Sequence, residues 1–483
     1  MPIPRLTTDP LSLSGSGELQ QQLYLSIRQQ LLSGRCPGGA LLPSERQLAA
    51  DLGLSRSTVQ QALQQLVAEG YIEPQQGRGY QIVHALPDGF FAASHKPACT
   101  SSSLPSQHYG LTAKAPSYSG RLQPGVANVQ QFPFRLWQKL LQRHANRPVL
   151  CTMADPQGYL PLRQALVHYL RQSRQLICDE STVLITAGAQ QALFVAAKLV
   201  ARGGQQVLME SPGYPRLQQA LQLAELDIAY LPAAGPAGID PTALPLQSKA
   251  KALFLTPSHQ YPCGGIMPLS QRLALLNWAR TEQCWLIEDD YDSEFQYRHR
   301  PIASLQGLAN GNGVLFTGSF SKTLFPALRL GYLVVPAELA GTAGAIQQAL
   351  HGDVPLLSQA VLADFMDEGH FNRHLRKMRR FYQQQKQQAV SLLQQHLPHA
   401  TLLAQDAGLH LSVLLPGLND DIALSRQCNH HGFNAQPYSR YCFLNEPERG
   451  LVIGIADADK DCLMQLINLL NTLKAMSGQA GIR

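Results

Sequence analysis

Apolar residues recur at helical spacing from Leu19 to Leu32, through Leu23, Ile27 and Leu31 with Tyr24 beside them. Gly34 and Pro37-Gly38-Gly39 stop that helix. Ser44 then offers an oxygen to the open N–H groups of a helix predicted over 45–52, and Gly53 ends it. Ser55 caps a further helix over 56–69, with Val59, Ala62, Leu63 and Leu66 as its core stripe. Two short helices around a Gly-Leu-Ser turn have the spacing of a helix-turn-helix. Strand-like residues at 71–73 and 80–83 flank the tip Gln76-Gly77-Arg78-Gly79 and predict a hairpin. The sum is an α+β winged helix over 17–84.

Periodicity then fades. From 85 to 122 Pro, Ser, Gly and Ala dominate, as in a partly disordered tether. Beyond 123 strand-like and helix-like segments alternate, the mark of α/β architecture with a largely parallel sheet. Strands are predicted over 183–186, 206–210, 252–256, 284–288 and 313–317. The chain turns helical after Val335, with a basic stretch from Asn372 to Arg380 that reads first as a solvated face. A smaller α/β lobe follows, with strands at 409–415 and 451–455. The expected body spans 123–474, its large part about 150–335 and its small lobe about 375–474.

A chain of 483 residues exceeds what one core holds. No apolar run approaches a membrane span, and Met1-Pro-Ile-Pro-Arg5 lacks a signal layout. Nine scattered cysteines without CxxC pairs suggest reduced thiols in the cytoplasm and no metal site. The net charge of +6 does not by itself imply nucleic acid. In the winged helix, Arg28, Arg35, Arg46, Arg56 and Arg78 are cancelled by Glu18, Glu45, Asp51, Glu69 and Glu73. A small protein-interaction module therefore competes with a DNA reader. The placement of the arginines favours DNA. Arg56 and Gln60 start the second helix and could reach base edges, Ser57 and Thr58 could bind phosphates, and Arg46 and the Gly77-Arg78 tip flank them.

In the body, the strand ends carry the chemistry. Ala187-Gly188-Ala189-Gln190 opens a helix, whose N-terminus suits a phosphate. Tyr214 lies just past a strand, placed to stack on a ring. Asp289 ends the strand leading into Asp290-Tyr291-Asp292, where an acid can hold a pyridine nitrogen protonated. Lys322 follows Gly318-Ser319-Phe320-Ser321 and precedes Arg329. Each is ordinary alone; a lysine in a Ser-rich turn is most often solvated. Together they supply a phosphate cradle, a stacking ring, an acid and an amine that desolvation would make nucleophilic. An aldehyde and a phosphate on one ligand point to pyridoxal 5'-phosphate (PLP).

The run Leu42-Pro-Ser-Glu-Arg-Gln-Leu-Ala, with Ser55-Arg-Ser-Thr-Val and Gly77-Arg-Gly79, resembles the GntR family of winged-helix regulators. The resemblance implies DNA contacts from Arg46, Arg56, Gln60 and the Gly77 wing, with Gln60 where many members carry arginine. The second half resembles the fold-type I aminotransferases. That implies Lys322 as the internal aldimine, Asp289 on the ring nitrogen, Tyr291 on the ring hydroxyl and Tyr214 stacked. It assigns the phosphate to Gly188, Ala189, Ser319, Ser321 and Arg329. The usual Asn-Pro-x-Gly run is replaced by Tyr261-Pro262-Cys263-Gly264. The whole layout, with Thr256-Pro-Ser-His-Gln-Tyr-Pro and Ile287-Glu-Asp-Asp-Tyr-Asp-Ser-Glu-Phe295, is similar to the MocR/GabR branch. By that resemblance Arg440, and second Arg216, would clamp an effector carboxylate. The expected protein is a homodimeric, PLP-dependent transcriptional regulator that senses PLP or an amine or amino acid at Lys322 and binds paired half-sites. Two alternatives stay open: a working aminotransferase with an accessory head, and a cofactor-free body used only for dimerisation.

Overall fold

The computed structural model describes residues 19–33, 36–84, 120–152, 155–233, 237–297, 303–444 and 448–480. They fall into two units, one within 19–84 and one from 120 onward. Of the expected tether over 85–122, residues 85–119 lie outside the described residues.

The first unit packs α1 (Leu19–Leu32), α2 (Glu45–Leu52) and α3 (Arg56–Ala68) beside an antiparallel hairpin of β1 (Ile72–Gln75) and β2 (Gly79–Ile82). Ser44 Oγ accepts from the Gln47 N–H at 3.3 Å, and Ser55 Oγ from the Thr58 N–H at 3.1 Å, so both expected caps form. Gly53 takes φ +63°, which releases α2 into the turn without a Cβ penalty. Leu23, Ile27, Leu31, Val59, Leu63, Leu66, Ile72 and Ile82 close the core. The Tyr80 hydroxyl donates to Glu45 Oε1 at 2.9 Å and ties the wing to α2.

The second unit is built on seven strands: β3 (Val183–Thr186), β4 (Gln206–Ser211), β5 (Asp227–Pro232), β6 (Ala252–Leu255), β7 (Trp285–Asp290), β8 (Val314–Ser319) and β9 (Gly331–Val334). Their order is β3-β9-β8-β7-β6-β4-β5. Only β9 runs antiparallel to its neighbours; the other pairings are parallel. The interior strands β6, β8 and β9 are buried on both faces, so they read as largely apolar runs. Successive residues alternate between two cores. Leu184, Ile287, Leu315 and Leu333 share one with α6 (Ala189–Val200); Ile185, Phe316 and Val334 share the other with α5 (Leu160–Arg174). The result is helix layers on both sides of the sheet.

The smaller lobe folds four strands, β10 (Thr401–Leu403), β11 (His410–Leu414), β12 (Gln436–Pro437) and β13 (Gly450–Gly454), in the antiparallel order β10-β11-β13-β12. The basic stretch lies on a long helix, His370–His396, and a last helix spans Lys460–Ala480. The expected tether ends earlier than Leu122. Arg121 N–H donates to Gly432 O at 2.8 Å and Asn434 N–H returns a bond to Arg121 O at 2.7 Å. Leu122 is wholly buried in the core shared with α5, at φ +62°, an anchor that local composition does not signal. Among the described residues, no helix is long and apolar enough to cross a membrane.

Leu63, 0% exposed, is packed within the small first core. Leu63→Ala should remove about 2–5 kcal/mol from the first unit. Calorimetry on the full chain should show an earlier transition for that unit and no change in the later one.

Candidate cofactor site and DNA-facing surface

The C-terminal ends of β4, β6, β7 and β8 open into a cavity of about 470 Å³. This is where ligands collect in α/β sheets, because loops from several strands converge there. Lys322, just beyond β8, points its amine into this space and donates to the carbonyl of Gly125. Gly125 sits at φ +67°, and a Cβ there would lie 2.6 Å from Lys322 Nζ. Burial is the main force on the amine; Asp292 and Asp289 resist it and Arg216 adds to it. The net effect lowers Lys322 to about 8.

Strand β7 ends in three consecutive acids, and its period of two separates them. Glu288 and Asp290 meet buried arginines: Arg174 Nε is 2.6 Å from Asp290 Oδ2, and Arg272 Nη1 is 3.6 Å from Glu288 Oε1. Asp289 between them faces the cavity and accepts from Thr317 Oγ1 at 3.0 Å. Burial pushes its carboxyl up to about 7, against the Thr317 hydrogen bond and the Lys322 charge. A cationic partner in the cavity would reverse that shift.

A second cluster suits an anion. Gly188 caps α6 at φ +100° with no side chain to satisfy the first helical N–H groups. A Cβ on Gly188 would lie 3.8 Å from the Arg329 guanidinium carbon, so the cation stands over this helix start. Ser319 Oγ accepts from the Ser321 N–H at 3.1 Å, folding the Ser-rich turn onto the same wall. An uncapped helix N-terminus, two hydroxyls and one arginine fit a phosphate. Tyr214 lines the cavity edge-on to Tyr261, ring centres 5.9 Å apart. The residues present therefore fit PLP: an anion cradle, an amine, an acid and an aromatic wall around one space.

Arg216 and Arg440 both line the cavity. Arg440 donates to Gln436 Oε1 at 2.8 Å from an exposed position. Tyr291 lines the cavity too, with its hydroxyl 2.9 Å from His259 Nδ1. Sequence reasoning missed the segment from Gln123 to Val126, together with Thr256, Asn434, Gln436 and Tyr441, which also face the site. The Pro-Gly pair at 124–125 was the one local signal of a turn. Tyr261 stands where the asparagine of Asn-Pro-x-Gly was expected, and its hydroxyl reaches Tyr441 Oη at 3.5 Å.

In the first unit Arg46, Arg56, Ser57, Gln60, Gly77 and Arg78 are exposed. Gly77, at φ +74°, turns the wing tip. The hydroxyls of Ser57 and Thr58 lie 2.8 and 2.7 Å from Ser55 Oγ. Both lie in the cap of α3; because Ser55 Oγ also accepts from the Thr58 N–H, only one of the two hydroxyls can donate to it, and the other keeps its proton for a phosphate.

Residues 19–82 match the family described as bacterial regulatory proteins, gntR family, and residues 127–453 match aminotransferase class I and II. The chain is 34% identical to the probable rhizopine catabolism regulatory protein MocR of Rhizobium meliloti, over 94% of this chain and 93% of that protein. The chain belongs to the MocR-type regulators of the GntR family. Another relative is the pyridoxine biosynthesis transcriptional regulator PdxR of Corynebacterium glutamicum, 32% identical over 92% of this chain and 93% of that protein. An archaeal alanine:glyoxylate aminotransferase shares the fold of the body, with a TM-score of 0.69 and 21% identity, covering 74% of this chain and 90% of its own. This MocR-type chain is thus an HTH-type transcriptional regulator with an aminotransferase-like body.

The depressed amine gives a direct test. Only the unprotonated form attacks an aldehyde. Borohydride trapping of PLP at Lys322, read by peptide mapping, should rise as pH climbs through about 8 and level off above it. Gly125→Ala should cut trapping about tenfold or more at any pH, because the new methyl displaces the amine.

Proposed function

We propose that this regulator binds PLP at Lys322 and uses the site to sense PLP itself or an amine or amino acid, switching DNA binding by its winged helix. The observation that carries the reading is the convergence of Lys322, Asp289 and Arg329 on one cavity in a chain whose other unit is a GntR winged helix. Bound there, the cofactor supplies an aldehyde carbon open to capture by a primary amine. The protein supplies the rest. Gly188, Ala189, Ser319, Ser321 and Arg329 hold the phosphate, Asp289 takes the ring N–H, Tyr291 meets the ring hydroxyl and Tyr214 covers the ring face. Arg440 and Arg216 take an effector carboxylate in a bidentate grip.

On DNA, Arg56 and Gln60 read base edges at the start of α3, and Arg46, Ser57, Thr58 and the Gly77-Arg78 wing hold the backbone. The regulator acts in the cytoplasm as a homodimer, with two heads on paired half-sites. An effector changes DNA affinity only as far as it binds the two states of the body differently. One observation also supports residual aminotransferase activity: lysine, acid, phosphate cradle and carboxylate arginines all line the same cavity. Turnover of an amino donor and a keto-acid acceptor at ~1–1000 per second would make that activity primary.

The deciding experiment is a footprint on DNA upstream of the protein's own gene, at low salt to favour binding. Wild type should protect paired half-sites, and PLP should change that protection. Lys322→Ala should protect the same sites indifferently to PLP. Arg56→Ala should weaken protection about tenfold or more. Equal responses of wild type and Lys322→Ala to PLP would overturn the reading.

A further inference from the structure

Behind the cavity wall lies a buried polar group with no part in the reading above. His259 and Asp292 are 2% and 1% exposed. His259 Nδ1 stands 2.8 Å from Asp292 Oδ1, and the Tyr291 hydroxyl is 2.9 Å from that same nitrogen. The rings of His259 and Tyr291 stack, 28° apart in plane. Asp292 Oδ2 accepts from the Leu409 N–H at 3.3 Å. Gly408, at φ +72°, seals the pair; a Cβ there would lie 2.1 Å from His259 Cε1. The ligand atoms of His259, Asp292 and His410 lie within 4.8 Å of one another, with one nitrogen of each histidine already committed. Nδ1 of His259 and Oδ1 of Asp292 are spent on each other, and His410 Nε2 on the Pro262 carbonyl at 3.0 Å.

A carboxyl group is a far weaker base than an imidazole, so in a direct pair the proton sits on nitrogen. Nδ1 of His259 is then an N–H donor. It has no lone pair left for the phenol of Tyr291, whose oxygen can only share that N–H as a second acceptor. The geometry points to Asp292 and His259 as a tautomer lock that forces the Tyr291 hydroxyl to aim its proton into the cavity. Tyr291 thereby becomes an obligate donor to the oxygen of the bound ring. Burial first, and then the charge of Asp292, hold the Tyr291 phenol well above its ordinary range, so the proton stays on it. Tyr261, packed edge-on to Tyr291, and the acids Asp289 and Glu210 also push the phenol up and so help it keep its proton. His410 is held neutral by burial, and the Lys386 amine is committed to the carbonyls of Ala407 and His410. His259 and Asp292 are positioning residues, acting through Tyr291. The lock rests on the reading of Lys322 and Tyr291 as the cofactor site.

The test uses the full chain loaded with PLP and follows its visible absorbance against pH. Loss of a donor to the ring oxygen destabilises the unprotonated form, so the midpoint must rise. Tyr291→Phe and His259→Phe should each raise it by about one pH unit. The double variant should rise no further than either alone. His259→Asn, whose amide N–H can replace Nδ1–H, should stay near wild type. A rise in Tyr291→Phe with none in His259→Phe overturns the lock and leaves the cofactor site standing. No visible band in wild type overturns the cofactor site and the lock together. A measurement that needs no altered core is ¹⁵N NMR of the wild-type histidines, with His259→Asn for assignment. His259 should appear as the Nδ1-protonated tautomer; the Nε2-protonated tautomer overturns the lock.

Discussion

The second unit depends on keeping one lysine amine out of water while giving it an acceptor. An ammonium buried without partners is costly, and proteins answer by shifting its proton affinity. Here the answer is a single carbonyl, that of Gly125, which accepts from Lys322 across 197 residues of sequence. The strand ends supply everything else around the amine: the Ser-rich turn after β8, the acid at the end of β7, the uncapped start of α6. Because these pieces come from a sheet buried on both faces, they cannot drift relative to one another. The cavity opens toward the exposed Arg440.

The arrangement of charge below that cavity follows one rule. Adjacent strand residues point to opposite faces, so three consecutive acids on β7 divide into two environments. Glu288 and Asp290 are matched by Arg272 and Arg174 within the fold. Arg272 is wholly buried and also donates to the carbonyls of Met267 and Pro257 at 3.0 and 2.7 Å. Removing either arginine would leave a carboxylate stranded in apolar surroundings, a severe penalty. Asp289 faces the cavity instead, where burial raises its carboxyl against the pull of the Lys322 charge.

Much of this was legible in the sequence because the signals were local. Ser44, Gly53 and Ser55 mark helix ends by chemistry that acts within four residues. The strand Val183–Thr186 and the helix after it could be placed from apolar runs and the Ala-Gly-Ala turn. Lys322, Asp289 and Tyr214 stand at strand ends, and strand ends are readable. What stayed hidden was non-local. Nothing near Gly125 announces a partner at Lys322, and only the resemblance that flagged Arg440 brings the neighbourhood of Asn434 and Gln436 to the cavity. The pairing of His259 with Asp292 crosses 33 residues and two loops. Ser57 and Thr58 carry a second task that the motif does not show: both hydroxyls lie against Ser55 Oγ in the cap of α3.

The bond between Gly125 and Lys322 has a mechanical side. Gly125 belongs to a short stretch riveted to the small lobe, through Arg121 to Gly432 and Asn434, and through Leu122 O to the Gly454 N–H at 2.7 Å. That stretch is also the first described part of the second unit, the last piece of chain before the residues that lead back to the winged helix. Whatever claims the lysine amine for itself takes a rivet from this stretch. The loss falls on a backbone segment anchored to the small lobe, so one carbonyl serves both the lysine amine and the strand of chain that opens the described part of the second unit.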